Sequence, residues 1–189
     1  MTPGELEGHV AVVTGGSRGI GRAIGLRLAE AGAAVAVNYH QNRKAADEIV
    51  GRIAAEGGRG LAFQADVSDR AAVEAMLDRV REDLGTVDIL VNNAGIMRSG
   101  RLLDFREEDF DAMWRTNVKG VLHCAAAVAP GMIDLGWGRV INVSSNAGVG
   151  TALPGSTFYA APQAAVLALT RRLAFELGPL GITVNAVLP

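Results

Sequence analysis

The chain predicts an α/β fold: a doubly wound parallel sheet in three α/β/α layers, with six strands in the order 3-2-1-4-5-6. Three observations predict it. Apolar runs of strand length alternate with longer segments of helical periodicity, which gives βαβ units joined by right-handed crossovers. The strand runs are continuous, as in Val10-Ala11-Val12-Val13, Ala34-Val35-Ala36-Val37 and Ile89-Leu90-Val91. Such runs belong to strands covered on both faces. A glycine turn, Thr14-Gly15-Gly16-Ser17-Arg18-Gly19-Ile20-Gly21, joins the first strand to the first helix, where a helix N-terminus offers N–H groups and a positive dipole end to an anion.

The elements follow in order. The first strand covers 9–14, and Gly15, Gly19 and Gly21 let the backbone turn tightly and approach a pyrophosphate closely. A helix over 19–31 carries Ile20, Ala23, Ile24 and Leu28 on one face and stops at Gly32. A strand at 34–39 and a helix at 42–56 come next, closed by Gly57-Gly58. The strand at 60–65 leads to a helix over 69–84, capped by Ser68 or Asp69 and followed by Gly85. After a strand at 87–92, a helix spans 106–134. Glu107, Glu108 and Asp109 sit in its first turn, where they complement the helix dipole rather than form a catalytic pair. A strand at 138–144, a helix at 157–178 and a strand at 182–187 complete the series. No linker, low-complexity tract or repeat interrupts it, so residues 1–189 read as one Rossmann-type dinucleotide-binding domain.

Composition sets limits. Of 189 residues, 49% are hydrophobic and 20% charged, a globular balance, and the net charge of −2 offers no basic field to nucleic acid or an anionic membrane. Cys124 is the single cysteine, which precludes an internal disulfide, and its apolar setting points to the core. His9, His40 and His123 are isolated, without metal-ligand spacing. The N-terminus has no basic start or apolar signal core, and no apolar run approaches the roughly 20 residues of a membrane span. A reducing cytoplasm is the expected setting.

Four further stretches accompany the glycine turn. Asp66-Val67 follows the third strand, Asn92-Asn93-Ala94-Gly95 follows the fourth, Asn117 lies within Thr116-Asn117-Val118, and Tyr159 lies 14 residues beyond Ser145 of Ser144-Ser145. With these motifs the chain resembles, from about residue 9 to residue 189, the short-chain dehydrogenase/reductase family, and within it the 3-oxoacyl-acyl-carrier-protein reductases and related carbonyl reductases. The resemblance implies hydride transfer between NADP(H) and a carbonyl or secondary alcohol, a 3-oxoacyl thioester among the candidates. It implies that Gly15, Ser17, Arg18, Gly19, Ile20 and Gly21 hold the cofactor's phosphates. Asp66 and Val67 would meet the adenine edge, and Asn93, Ala94 and Gly95, with Asn92, would line the cofactor and steady the sheet. Tyr159 matches the proton donor, Ser145 the hydroxyl that binds the carbonyl oxygen, and Asn117 the holder of a relay water. Tyr159 and Gln163 stand beside the ribose.

The second strand ends on Asn38, not on the carboxylate that bonds an NAD ribose. Nothing there repels a 2′-phosphate, and Arg18 with Arg43 or Lys44 supplies cations, so NADP is expected over NAD. Two departures bear on turnover. The family lysine four residues after the tyrosine is replaced by Gln163. A cation at about 4–5 Å and an effective dielectric near 20 stabilises a tyrosinate by roughly 3–4 kcal/mol, or about 2–3 pKa units. Its loss slows the reaction on the order of 10²- to 10³-fold if nothing compensates. Pro162 falls in the expected first turn of the last helix, so either that helix begins near Pro162 or Ala161 is strained, and both displace Tyr159.

The chain ends at Pro189, where relatives continue into a Pro-Gly turn, a substrate lid, another helix and a seventh strand. The lid and last strand are therefore expected to be absent, and a homodimer through helices 106–134 and 157–178 is expected over a tetramer. Three readings follow: a reductase with slowed turnover, a non-catalytic NADP-binding sensor or partner subunit, and a truncated inactive product. Met97, Val149, Leu153 and Phe158 read equally as an apolar substrate pocket and as packing residues.

Overall fold

In a computed structural model that describes residues 4–150 and 154–189, the strand runs become β1 (Val10–Val13), β2 (Ala34–Tyr39), β3 (Gly60–Gln64), β4 (Ile89–Asn92), β5 (Gly138–Val143) and β6 (Ile182–Val187). All pair in parallel, in the order β3-β2-β1-β4-β5-β6. The order reverses between β1 and β4, which opens a crevice beyond the carboxyl ends of the central strands. The fold is thus the Rossmann-type arrangement that the alternation of elements predicts.

Helices α1 (Gly19–Glu30) and α2 (Arg43–Ala55) lie on one face. Their Leu28, Ile49 and Ile53 pack on Val35, Val37, Ile89 and Val91. On the other face lies α3 (Arg70–Asp83), together with α4 (Glu107–Met113), α5 (Gly120–Leu135) and α6 (Thr157–Leu177). There Val73, Leu77, Cys124, Val128 and Met132 close over Val12, Leu90 and Val140. Asp69 caps α3 through the N–H groups of Ala71 and Ala72, at 2.9 and 3.2 Å. Cys124 is fully buried, and burial pushes its thiol up to about 12.

The structure corrects four expectations. Coverage on both faces holds for β1, β2 and β4 but not for β5 and β6. In β6, Ile182 and Val184 are buried while Val187 is 52% exposed. The reason is topological: the right-handed crossovers that start at β1 and β2 place α1 and α2 over the β1, β2, β3 and β4 side of the sheet and not over β5 and β6.

The helix expected over 106–134 is not one regular helix. Trp114–Lys119 forms a π-helical turn between α4 and α5, and the Gly120 N–H bonds the Arg115 carbonyl five residues back. Asn117 anchors this turn with both ends of its amide. Its Oδ1 accepts the Ile96 N–H at 2.8 Å, and its Nδ2 donates to the Ile96 carbonyl at 2.9 Å.

The same segment, Glu107–Leu135, is long enough, and over an 18-residue window of mean hydropathy 1.3 apolar enough, to cross a membrane by length and composition, contrary to the expectation that no run approaches a span. Its apolar stripe of Val121, Cys124, Ala125, Val128 and Met132 is buried, facing the protein core at helical spacing.

Finally, α6 begins at Thr157, well before Pro162, and keeps helical backbone through Ala161. Its start is held independently of residue 162. The Ala160 N–H bonds the Ser156 carbonyl at 2.8 Å, and Phe158 packs on Phe105 with ring centroids 4.8 Å apart. Pro162 falls in the second turn and forfeits only the bond that its N–H would have made to the Phe158 carbonyl.

Candidate active site

Two adjoining clefts open at the carboxyl end of the sheet. The larger, about 720 Å³, lies over the glycine turn. Gly15 and Gly19 take φ of +61° and +54°, which side chains rarely tolerate. The turn is held by a closed polar frame. The Gly15 N–H donates to Asn38 Oδ1 at 3.2 Å and the Gly16 N–H to the Asn38 carbonyl at 2.9 Å. Thr14 Oγ1 accepts the N–H groups of Asn93 and Ala94 at 2.9 and 3.0 Å. Asn93 Nδ2 donates to the carbonyls of Thr14 and Gly15.

What the frame leaves open is the N-terminus of α1. The N–H groups of Gly19, Ile20 and Gly21 precede its first intrahelical bond, from the Arg22 N–H to the Arg18 carbonyl. No side chain caps this end and no acidic residue stands in its first turn, whereas Asn42 caps α2 and Asp69 caps α3. A Cβ on Gly19 would meet nothing within 4 Å, so the backbone there faces open space.

Every residue of the predicted binding set lines one of the two clefts, with one exception. Gly21 lies behind the turn, where a Cβ would stand 2.4 Å from Asn93 Nδ2 and 2.5 Å from the Gly15 carbonyl oxygen. The absence of a side chain there permits close backbone approach within the protein. Asn38 also differs from expectation. It is buried on the α3 side of β2, its Nδ2 donating to the Ala65 carbonyl at 3.1 Å, so its amide steadies the turn. Arg43 and Lys44 do not line the cleft, and Arg43 pairs with Asp47 at 3.3 Å.

His40, Gln41 and Asn42 line the wall instead, as does Arg98. His40 reads in sequence as a solvated loop histidine; its place directly after β2, at a strand's carboxyl end, is the signal that marks it. Asp66 carries two opposing effects. Burial raises its pKa, but the Ser68 N–H and hydroxyl, and then His40 at 3.7 Å, lower it further, so it stays below the usual carboxylate range.

The smaller cleft, about 260 Å³, brings together Ser145, Tyr159, Asn117 and Gln163. Ser145, after β5, lines this cleft with Tyr159, and its Oγ accepts the Ala147 N–H at 3.2 Å. Burial pushes the half-buried Tyr159 hydroxyl above its ordinary value, and the Ser145 bond draws it part of the way back. Ser144, given no role of its own in the sequence analysis, donates to the Gln163 carbonyl at 3.0 Å and fixes α6 to the end of β5. Gln163 is 4% exposed, and its Oε1 has no hydrogen-bond partner. Among the described residues no charged side chain lines this cleft. Of the candidate substrate residues, Met97 lines it, Val149 is exposed and Phe158 packs in the aromatic cluster; Leu153 lies outside the described residues.

The family model "short chain dehydrogenase" matches residues 9–189. A 3-oxoacyl-acyl-carrier-protein reductase of Staphylococcus aureus is 46% identical over 180 residues, covering 95% of this chain and 72% of that protein. A short chain dehydrogenase of Burkholderia cenocepacia, solved in complex with NADP, is 44% identical with a TM-score of 0.91, over 98% of this chain and 75% of that one. A gluconate 5-dehydrogenase of the same organism, solved with NADP and tartrate, is 38% identical with a TM-score of 0.91, over 98% and 72%.

Proposed function

Because the chain belongs to the short-chain dehydrogenase family, we propose that it is an NADP-dependent reductase, interconverting a carbonyl and a secondary alcohol. One observation carries this reading. Ser145 and Tyr159 meet in a cleft that adjoins the uncapped end of α1. The residues present fit a dinucleotide: an open helix N-terminus for phosphates, Asp66 and Val67 farther along the wall, and an unpaired buried acceptor at Gln163. When bound, the nicotinamide supplies the hydride.

The protein supplies the proton. The Tyr159 hydroxyl donates its proton to the carbonyl oxygen while the Ser145 hydroxyl hydrogen-bonds the same atom. Burial keeps Tyr159 protonated at neutral pH, so the acid is in place before reaction. Asn117 commits its side chain to Ile96, and its place on the wall of the smaller cleft supports a part in holding the relay water. Arg18 and Arg98 line the larger cleft, Asp66 is its one carboxylate among the described residues, and no carboxylate ends β2, which favours a 2′-phosphate. The NADP-bound neighbours support this choice.

The Staphylococcus relative supports a 3-oxoacyl thioester as substrate. Exposed Leu122, Ile133 and Phe175 on α5 and α6 support a homodimer through these helices, with residues 1–189 acting as one nucleotide-binding unit. Nothing in the comparisons favours a non-catalytic binder or a truncated inactive product. Titration with NADPH and NADH, followed by turnover against ketones and 3-oxoacyl thioesters, tests the reading. It expects tighter NADPH binding and oxidation of NADPH by at least one substrate; binding without any turnover overturns it.

A further inference from the structure

The turn that carries Tyr159 is short of one backbone bond, and an aromatic cluster packs against the residue that lacks it. Pro162 has no N–H to give to the carbonyl of Phe158, four residues back, and a proline ring crowds that same carbonyl. The backbone next to Tyr159 is thus held less firmly than a helix interior usually is. The side chain of Phe158 is held instead. Its ring lies 4.8 Å from that of Phe105 and, edge-on, 6.5 Å from that of Phe110, while Phe105 and Phe110 stand 6.0 Å apart. Phe110 also meets Trp114, the residue that opens the π-helical turn, at 6.0 Å.

Separate segments meet in these four rings. Phe105 belongs to the loop after β4, Phe110 to α4, Trp114 to the π turn and Phe158 to α6. The loop is fastened to the start of α6 a second time. The Gly100 N–H donates to the Gly155 carbonyl at 2.9 Å, and Gly100 pairs with Ser156 in an isolated bridge. A Cβ on Gly100 would stand 3.1 Å from two atoms of the Phe158 ring, so the loop backbone lies directly against that ring. None of the four rings is fully buried, and none lines either cleft. The cluster stands outside the core that joins helices to sheet, and outside the sites that would hold ligands.

Successive residues of a helix point about 100° apart. A ring fixed at position 158 therefore sets the rotation of the turn, and with it the direction of Tyr159, which lines the smaller cleft. Aromatic pairs and a single backbone hydrogen bond stabilise by similar amounts, so the cluster is strong enough to stand in for the missing bond. Resting on the reductase reading above, we propose that Phe105 is a positioning residue for Tyr159: through Phe158 it holds the first turn of α6 in the orientation that a bond from residue 162 would otherwise hold. Through Phe110 and Trp114 the same cluster joins that turn to the segment that carries Asn117.

The test uses the full chain, with kcat measured at saturating NADPH on a ketone or 3-oxoacyl thioester that the wild-type chain reduces, and the Kd for NADPH measured separately. Phe105→Ala lowers kcat about 10-fold, because a displaced proton donor costs rate steeply, while the Kd stays unchanged. Pro162→Ala restores the backbone donor. Alone it leaves kcat near wild type; combined with Phe105→Ala it recovers most of the lost rate. A role confined to folding would produce neither the split between kcat and Kd nor the recovery. An unchanged kcat in Phe105→Ala, a matching rise in Kd, or no recovery in the double variant overturns the proposal. If Phe105→Ala does not fold, Phe105→Leu keeps apolar bulk without a ring. It then shows a smaller loss of kcat, about threefold, again recovered by Pro162→Ala, and parity with wild type overturns the proposal. A wild-type chain that binds NADPH and reduces no substrate is a different result, which removes the reductase reading and the positioning role with it.

Discussion

The two clefts share one sheet edge and several wall residues, yet they treat their polar groups in opposite ways. Around the glycine turn, Thr14, Asn38 and Asn93 form a frame in which side-chain and backbone groups bond one another. Around Tyr159, Gln163 Oε1 is left unpaired, and among the described residues no charged side chain lines the cleft. The binding end is braced by redundant bonds, while the reacting end depends on the half-buried Tyr159 hydroxyl. Binding and turnover should therefore respond to different substitutions.

Tyr159→Phe gives the largest separation. It removes the proton donor and lowers carbonyl reduction about 10³-fold, with the Kd for NADP⁺ unchanged within twofold; steady-state kinetics and a binding titration measure the two. Gly21→Ala breaks the comparison from the other side. Its Cβ would press on Asn93 Nδ2 and the Gly15 carbonyl, and overpacking of about 1–3 kcal/mol raises the Kd for NADPH roughly 5- to 100-fold. Turnover at saturating cofactor falls far less.

The pH dependence sharpens the contrast within the smaller cleft. Reduction needs protonated Tyr159, whose pKa lies above its ordinary value, so the rate is flat through neutral pH and falls only in the far alkaline range. Alcohol oxidation needs the tyrosinate, so its rate climbs by about a decade per pH unit across the neutral range. A pH–rate profile in both directions checks the signs. The smallest effect expected is that of Arg18→Ala, which weakens NADPH about 10-fold or less and leaves NADH unchanged.

Much of this was legible in the sequence. Continuous valine-rich runs separated by helical periods fix the strand order through crossover handedness, and the glycine turn marks the open helix end. Asn38 lines the larger cleft, as expected, but the direction of its amide was not legible from its place at the end of a strand. Alternation puts Asn38 on the same face as Ala36, toward α3, and leaves the loop residues His40, Gln41 and Asn42 to line the cleft. The π turn at Trp114–Lys119 is invisible to periodicity, since one inserted residue barely shifts an apolar stripe, and it is anchored by Ile96, distant in sequence. The helix start at Thr157 was legible, but the disturbance expected from Pro162 is not met, because the Phe158–Phe105 contact that supports this start joins separate segments. The unpaired Gln163 Oε1 is a property of packing, and only the assembled cleft shows it.

The separation of binding from turnover is tested most directly by Gln163→Lys, with the Kd for NADPH and the rate of carbonyl reduction measured on the same preparation. Restored charge beside Tyr159 stabilises the developing tyrosinate by roughly 3–4 kcal/mol, and reduction rises on the order of 10²-fold while the Kd stays within a few-fold of wild type. An unchanged rate with NADPH bound, or a gain explained wholly by tighter binding, contradicts the account.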